Sequence, residues 1–441
     1  MKPVRVRRGF GFLVQALVAL ALGACSSLPG LPWLSQPTLA PPATPSPSPQ
    51  DQASPTSPAP QATQPAPSSI TIWLPPEFNP TTGTAAGKLL RSRLDAFGAA
   101  NGVQVSARVK VSTGPGGLLD ALNAASAAAP LSLPGVIALP QSDLETAAVK
   151  GLIIPLDGAN SALNSPDWYD YAHQLALVQG VSFGLPFAGD ALLTVYRPAK
   201  IASPPVSWDA ILHLGQPLAF AAGSQQALVT ILLYQANGGQ IEDAQRRPVL
   251  QVDPLGQILT LYRQAADRAI FPTWIAQFDN DSQVWQAYQD GRVNAALTWS
   301  TYFLASRPSD SAILAFPAPD SKAASLATGW VWAVSDPLHD RRELSIRLAE
   351  WLVDPAFLAE WTAAAGYLPT RPSSLTAWRD SNLRGQLNII AAAARLRPST
   401  DLLVGLGPTL HEATVNVLRL QAEPLPAAAT AAAHLSSTPS P

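Results

Sequence analysis

Hydrophobic and polar residues alternate over residues 69–74, Ser-Ile-Thr-Ile-Trp-Leu, and two prolines follow. A period of two is typical of a β-strand, and proline ends a strand because it donates no ladder hydrogen bond. An apolar stripe at helical spacing then predicts a helix over 88–100, which ends near Asn101-Gly102, a helix C-cap signal. The folded part of the chain therefore begins with a strand followed by a helix.

The same alternation continues through the first third of the chain. The pattern predicts strands over 103–111 and 135–139, helices over 118–129 and 143–150, and a closing segment over 151–156. Strands that alternate with helices at this spacing indicate an α/β layer with a largely parallel sheet. Ligands of such sheets bind at the carboxyl ends of strands, so the loops at 74–79, 112–117 and 140–143 are candidates for a site.

The second half of the chain repeats the α/β pattern. We predict strands over 217–222, 292–299 (running out at 300–303), 312–316 and 329–335. Predicted helices cover 227–237, 254–269, 281–290, 343–352, 355–365 and 402–422. The Ala/Ser/Pro-rich end of the chain, residues 425–441, is expected to be disordered.

Residues 184–200 separate these two halves. The stretch opens with Gly184 and Pro186, passes an isolated acid at Asp190, and becomes an apolar strand that ends at Pro198. We interpret it as a strand that crosses between two lobes, with a ligand cleft beside it.

The N-terminus predicts export. A basic start is followed by an apolar run too short to span a bilayer comfortably, as in a secretory signal. The run ends in Leu22-Gly23-Ala24-Cys25, which looks like a bacterial lipobox, and Cys25 is the single cysteine of the chain. The alternative is an ordinary signal peptide with an incidental cysteine. The Pro/Ser-rich segment that follows cannot form a core and is predicted to be a tether.

Composition and motifs exclude several classes of function. The formal net charge is -2, which gives no indication of nucleic-acid binding. The five histidines lack metal-ligand spacing, and no G-x-S-x-G, H-E-x-x-H or Walker sequence occurs. We therefore predict no catalytic residues, no metal site and no cofactor.

Five motifs in a fixed order resemble those of the extracellular solute-binding proteins of ABC importers, in the branch with maltodextrin- and other sugar-binding lipoproteins. They are Gly-Leu-Pro-Phe at 184–187, Val-Tyr-Arg-Pro-Ala-Lys at 195–200, Pro-Pro-Val-Ser-Trp-Asp at 204–209, Gly-Arg-Val-Asn-Ala-Ala-Leu at 291–297 and Gly-Tyr-Leu-Pro-Thr-Arg at 366–371. The chain departs from the family at 300–303, Ser-Thr-Tyr-Phe, where members commonly show Gly-Ser-Trp.

The resemblance implies an α/β fold of the two-lobe periplasmic-binding-protein type (type II), with crossing hinge strands and closure by hinge motion. The expected organisation is a lipoprotein signal peptide at 1–24 and a lipidated Cys25 with its tether over 25–68. Lobe I is expected over 69–187 with part of about 316–355, and lobe II over 188–315 with about 356–424.

Sugar recognition needs aromatic faces against the ring and paired polar groups for the hydroxyls. Some candidates have a structural alternative: a strand-end aromatic can fill the core, Ser224 and Gln225 can cap a helix, and Arg371 can pair within its lobe. The predicted ligand-binding residues are Trp73, Glu77, Phe187, Asp190, Ser224, Gln225, Trp299, Tyr302, Trp330, Tyr367 and Arg371.

The leading hypothesis is a monomeric, lipid-anchored, extracytoplasmic bacterial receptor that delivers a carbohydrate to the permease subunits of an ABC transporter. One alternative is a receptor of the same fold for another solute, such as a polyamine, an organic anion or a metal chelate. A second, from a different class, is a surface glycoside-acting enzyme with paired carboxylates.

Overall fold

The computed structural model describes residues 69–158 and 162–437, so the predicted signal peptide, Cys25 and the tether lie outside the described residues. The strands of the described part are β1 (Ser69–Leu74), β2 (Gln104–Val109), β3 (Val136–Pro140), β4 (Leu177–Val178), β5 (Val181–Ser182), β6 (Gly184–Tyr196), β7 (Leu218–Ala219), β8 (Ala295–Trp299), β9 (Ala312–Leu314), β10 (Phe316–Pro317), β11 (Ala323–Val334) and β12 (Ala394–Leu396).

The α-helices of the same residues are α1 (Ala85–Asn101), α2 (Leu118–Ala128), α3 (Gln141–Val149), α4 (Asp170–Leu175), α5 (Trp208–Leu212), α6 (Leu228–Ala236), α7 (Val252–Asp267), α8 (Asp281–Gln289), α9 (Ser300–Ser306), α10 (His339–Leu352), α11 (Pro355–Ala365), α12 (Pro372–Thr376), α13 (Ser381–Ala393), α14 (Thr400–Leu418) and α15 (Pro424–Ser437). Short 3₁₀ turns cover Pro76–Phe78, Pro130–Ser132, Ala162–Asn164 and Thr273–Gln277.

The main sheet is mixed, with the strand order β2-β1-β3-β11-β6-β8-β7. β1 runs parallel to β2 and β3, whereas β11 runs antiparallel to β3 and to β6. The α/β fold class predicted from the sequence is therefore confirmed, and the centre of the sheet, between β3, β11 and β6, is antiparallel.

Two long strands run through the middle of this sheet. The first part of β6 pairs with β11, and its second part, from Leu192 onward, pairs with β8 and β9. The ladder between β6 and β11 shifts register between Trp330 and Val331, opposite Pro186, which has no N–H to donate. The predicted crossing strand is thus present as one continuous strand over Gly184–Tyr196.

Side chains of β1 are buried in two cores, one on each face of the sheet. Ile70, Ile72 and Leu74 pack into one core with α1, while Trp73 faces a second core with Leu118 of α2. Helices therefore cover both faces, as expected for a sheet whose strands are apolar on each side.

Two sequence predictions are corrected by local structure. Residues 300–303 begin helix α9 instead of extending β8. The segment 425–441 was predicted to be disordered, but Pro424–Ser437 forms α15, which packs against α7 and α14. Alanines 427, 428 and 431 are buried in that contact. The Ala-rich composition that suggested disorder also has a high helix propensity, and tertiary packing decides between the two.

Helix α11, which lies in predicted lobe II apart from its first residue, packs against α1 on the β1 side of the sheet. Its N-cap Asp354 accepts a hydrogen bond from the Phe357 N–H, and Gly366 ends it in the left-handed conformation.

Candidate functional site

A cavity of about 810 Å³ opens beside the middle of β6. Its size is within the range of small-molecule sites. It is bounded by the crossing strands, the end of β8, the loop before α6 and the start of α8. The residues that line it are Asp190, Gly223, Ser224, Gln225, Gln226, Leu228, Asp279, Asn280, Asp281, Trp299, Thr328 and Arg397.

Asp190 lies at the centre of the crossing strand and is half-buried. Its Oδ1 accepts hydrogen bonds from the Ser300 hydroxyl (2.7 Å) and the Thr301 N–H (3.0 Å), and its Oδ2 accepts one from the Thr301 hydroxyl (2.7 Å). Burial raises the pKa of Asp190 to about 6, although these donors favour the ionised form. The position of the Asp190 carboxylate is therefore fixed by three hydrogen bonds. Because it is buried, a further hydrogen bond from a polar ligand would stabilise its ionised form.

Trp299 and Asp281 lie next to Asp190. Trp299 ends β8 opposite Leu192 of β6, so its side chain is on the same face of the sheet as that of Asp190. The indole N–H donates to Asp281 Oδ2 at 3.1 Å, which fixes the ring. Burial, with the negative charge of Asp190 as a further cause, raises the pKa of Asp281 to about 6.

The loop before α6 forms another wall of the cavity. Gly223 donates its N–H to the Phe278 carbonyl at 2.9 Å, and a Cβ at residue 223 would stand 2.8 Å from Asp279 Oδ1. A Cβ at Gly407 of α14 would collide with the carbonyl oxygen of Gln225. These two glycines allow the loop to lie close to the start of α8 and to α14.

Aromatic side chains form a wall beside the cavity on the β1 side. Phe78 contacts Trp330 and Tyr367 edge-on, at 5.1 and 5.4 Å between ring centroids. Trp330 and Tyr367 are half-buried, and Trp330 is two residues along β11 from Thr328, so both side chains are on one face. Burial raises the pKa of Tyr367, and the charges of Asp190 and Glu77 add to that effect. Two half-buried indoles, Trp299 and Trp330, therefore share the face of the sheet that carries Asp190.

Comparison with known families gives the class of protein. A sequence model described as bacterial extracellular solute-binding protein matches residues 92–383, about two thirds of the 441 residues. The chain belongs to this family. Its members are binding proteins, and no curated protein matches the chain.

Solved structures of solute-binding proteins share the fold at low sequence identity. A cyclic alpha-maltosyl-1,6-maltose binding protein from Arthrobacter globiformis is similar with a TM-score of 0.69 and 16% identity, over 84% of this chain and 99% of that chain. The sugar-binding protein MalE from Xanthomonas citri is similar with a TM-score of 0.68 and 15% identity, over 83% and 96% of the two chains. Maltose-bound MalE3 of T. maritima reaches a TM-score of 0.61 at 15% identity, over 83% and 99%. The two-lobe fold predicted from the sequence is confirmed.

In this solute-binding protein, four of the predicted ligand residues line the cavity together: Asp190, Ser224, Gln225 and Trp299. Tyr302, Trp330 and Tyr367 are half-buried but outside the lining. Burial raises the pKa of Tyr302, with smaller contributions from the charges of Asp281 and Asp190. Glu77 is exposed and accepts a hydrogen bond from the Ser112 hydroxyl at 2.9 Å.

Three predicted ligand residues are buried away from the cavity, and their assignment is corrected. Trp73 is 3% exposed in the second core, and Phe187 is 1% exposed and stacks on Trp332 at 4.0 Å. Arg371 is 5% exposed, lies 3.7 Å above the Trp168 ring, and pairs with Asp167 at 3.6 Å. The structure therefore shows an ion pair for Arg371, but its partner Asp167 is in predicted lobe I whereas Arg371 is in predicted lobe II.

Several residues that line the cavity were not among those predicted from the sequence. Asp279 and Asn280 precede α8, and Asn280 caps it by accepting the Gln283 N–H. A run of three polar residues after Phe278 was a usable signal, because such a run also marks a loop at a site. The sequence around Thr328 and Arg397 gave no sign of a binding site. These residues reach the cavity only because β11 pairs with β6 and β12, which are distant from it in the sequence.

The described residues contain no group of three or more His, Cys, Asp or Glu side chains arranged to hold a metal ion. Within the same residues, no helix combines the length and apolar character needed to cross a bilayer.

Proposed function

We propose that this chain is a carbohydrate receptor that binds its ligand in the cavity beside Asp190. One observation carries the proposal: the indole of Trp299 and the carboxylates of Asp190 and Asp281 occupy one wall of an 810 Å³ cavity. A sugar ring presents apolar C–H faces and hydroxyl groups at its edge, so it pairs with an aromatic face flanked by hydrogen-bond acceptors.

The ligands of two similar structures support the same class. The T. maritima protein is described with maltose, and a further relative in fold is a cyclo/maltodextrin-binding protein complexed with maltotetraose. At 15 and 16% identity these likenesses concern the fold, and the choice of a carbohydrate rests on the cavity wall.

The proposal extends to the N-terminus and to transport. We infer that residues 1–24 are a signal peptide, that Cys25 is lipidated, and that residues 25–68 tether the binding domain to the membrane. The receptor then delivers its ligand to the permease subunits of an ABC transporter. Replacing Cys25 with Ser is expected to release the protein from the membrane fraction, whereas retention of the variant in that fraction contradicts the anchor.

Isothermal titration calorimetry tests the ligand class. The purified domain, residues 65–441, is titrated with neutral mono- and oligosaccharides and, in parallel, with a polyamine and an organic anion. We expect heat of binding for at least one saccharide. Binding of the polyamine or of a non-sugar anion, with none for any saccharide, contradicts the carbohydrate assignment.

Hydrolysis separates a receptor from a glycoside-acting enzyme. The ligand identified by calorimetry is incubated with the protein, and the products are analysed by chromatography. A receptor leaves the saccharide intact. Cleavage that disappears in an Asp190→Asn variant would instead show an enzyme that uses paired carboxylates.

A further inference from the structure

Arg397 holds a position in the cavity that the proposed function does not use. It follows β12, and its backbone is fixed on both sides: its N–H donates to the Ala327 carbonyl at 2.7 Å, and its carbonyl accepts from Gln141 Nε2 at 2.9 Å. Gln141 Oε1 in turn accepts from the Thr328 hydroxyl at 3.2 Å. The start of the Arg397 side chain is therefore held by β11 and α3 together.

The guanidinium of Arg397 has no partner among residues 69–158 and 162–437. No carboxylate of those residues lies within 4.0 Å of it, no hydrogen bond from its side chain occurs there, and its Nε is buried without an acceptor. Burial lowers the pKa of Arg397, and the charge of Glu145 acts in the opposite direction. The accessible part of this guanidinium has no acceptor in the described residues, so an acceptor from the ligand is favoured there.

The charge that acts on Arg397 is that of Glu145, and both oxygens of this carboxylate already accept hydrogen bonds from other residues. Glu145 Oε1 accepts from Gln141 Nε2 at 3.1 Å, and Glu145 Oε2 accepts from the Thr400 N–H at 3.2 Å. Arg397 is thus held in place by its backbone, while the four N–H donors of its two Nη atoms, which are not buried, remain available to the cavity.

Two of the three acids that line the same cavity, Asp190 and Asp281, are in a different situation. Three of the lone pairs of Asp190 are filled by Ser300 and Thr301, and Asp281 holds the Trp299 indole. These contacts leave the aspartates to accept hydroxyl groups of a sugar, whereas a planar guanidinium fork fits a carboxylate with two parallel hydrogen bonds.

We propose that Arg397 binds an acidic group of the ligand, so that the preferred carbohydrate is a uronic acid or an oligosaccharide that contains one. This inference rests on the proposed carbohydrate function and adds the charge of the substrate to it. The acidic group lies at the β11–β12 side of the cavity, and the neutral part of the sugar lies against Trp299 and Asp190.

Calorimetry with matched sugars tests the inference. Each set contains a neutral sugar, the uronic acid with a carboxylate in place of its primary alcohol, and the amino sugar of the same ring, for glucose, galactose and mannose, with disaccharides where a monosaccharide is too small. The wild-type protein is expected to bind the uronic acid about tenfold or more tighter than its neutral counterpart, as for a charge-assisted bidentate pair. Arg397→Gln is expected to remove that preference, and Arg397→Lys to retain part of it.

Arg395 offers a matched control. It is an exposed arginine two residues earlier, on β12, and it donates to the Gln235 carbonyl at 3.2 Å, outside the cavity lining. Arg395→Gln removes the same charge from the same strand and is expected to leave the preference for the acid intact.

Each outcome decides between distinct explanations. Equal or tighter binding of the neutral or the amino sugar by the wild-type protein overturns the inference and leaves the carbohydrate function standing. A preference for the acid that persists in Arg397→Gln overturns the role of Arg397. Absence of binding to every sugar in the sets overturns the proposed function itself, and the inference with it. The wild-type comparison needs no variant, so it holds even if Arg397→Gln fails to fold.

Discussion

Replacing Asp190 with Asn is expected to stabilise the protein while it weakens ligand binding. Burial raises the pKa of Asp190 from its ordinary value of 3.8 to about 6. At 1.36 kcal/mol for each pH unit, an ionised Asp190 lowers the free energy of unfolding by up to about 3 kcal/mol at pH 7. Asparagine carries no charge, and its Oδ1 still accepts from Ser300, so the variant avoids most of that cost.

The sign of the effect sets its pH dependence. Because the folded-state pKa is the higher one, the folded protein binds the proton more tightly, and wild-type stability falls as pH rises from about 4 to about 6. The difference between Asp190→Asn and wild type is therefore expected to be small at pH 4 and to approach its full value above pH 6. Urea unfolding at pH 4, 5, 6 and 7.5 measures it.

Ligand binding is expected to move in the opposite direction. Loss of the charged acceptor in the cavity should weaken affinity by tenfold or more, about 1.4 kcal/mol, in calorimetry at pH 7.5. Asp95→Asn serves as a control, since that side chain is 64% exposed on α1 and its replacement should change stability little at any pH. A stability difference that does not vary with pH, or a variant that is less stable than wild type at pH 7.5, would refute the reasoning.

Three further predictions concern the cavity and the C-terminal helix. Trp299→Leu is expected to weaken ligand binding about tenfold or more, and unchanged affinity in calorimetry contradicts a role in the site. Gly407→Ala is expected to lower the free energy of unfolding by about 1–3 kcal/mol and to weaken binding, because the new Cβ displaces the Gln225 carbonyl. Gly385→Ala is its control: no atom lies within 4 Å of a Cβ there, so stability in urea should stay equal or rise by up to about 1 kcal/mol. Deletion of 424–441 is expected to lower Tm by more than about 4 °C in calorimetry, and an unchanged Tm would show that α15 adds no stability.

The crossing strand was predictable because its signals are local. An apolar run between turn formers with one acid inside predicts a strand whose single polar side chain faces solvent or a ligand, and Asp190 lies on the cavity. Trp73 was misplaced for a reason that the strand alone does not reveal. Helices cover both faces of the sheet, so Trp73 is buried in a second core although it points away from Ile70, Ile72 and Leu74.

The remaining cavity residues depend on contacts distant in sequence. Arg397 reaches the cavity because β12 pairs with β11 about 70 residues away along the chain. In the sequence, Asp281 is recognisable only as the first residue of a helix. The helix dipole favours an acid at that position, so its presence does not by itself indicate a binding site. Only the hydrogen bond from Trp299 distinguishes it from an ordinary helix start.

The position of β11 at the centre of the sheet has a consequence for how the chain folds. Val136 of β3 pairs with Val334 of β11, about 200 residues further along the chain. Strand β6 also pairs with β11. Contacts of such sequence separation form slowly, because the closing of a long loop precedes any gain from the contact. A nascent chain that has not reached residue 334 lacks the full strand that joins β3 to β6. The main sheet therefore cannot close until most of the chain has been synthesised.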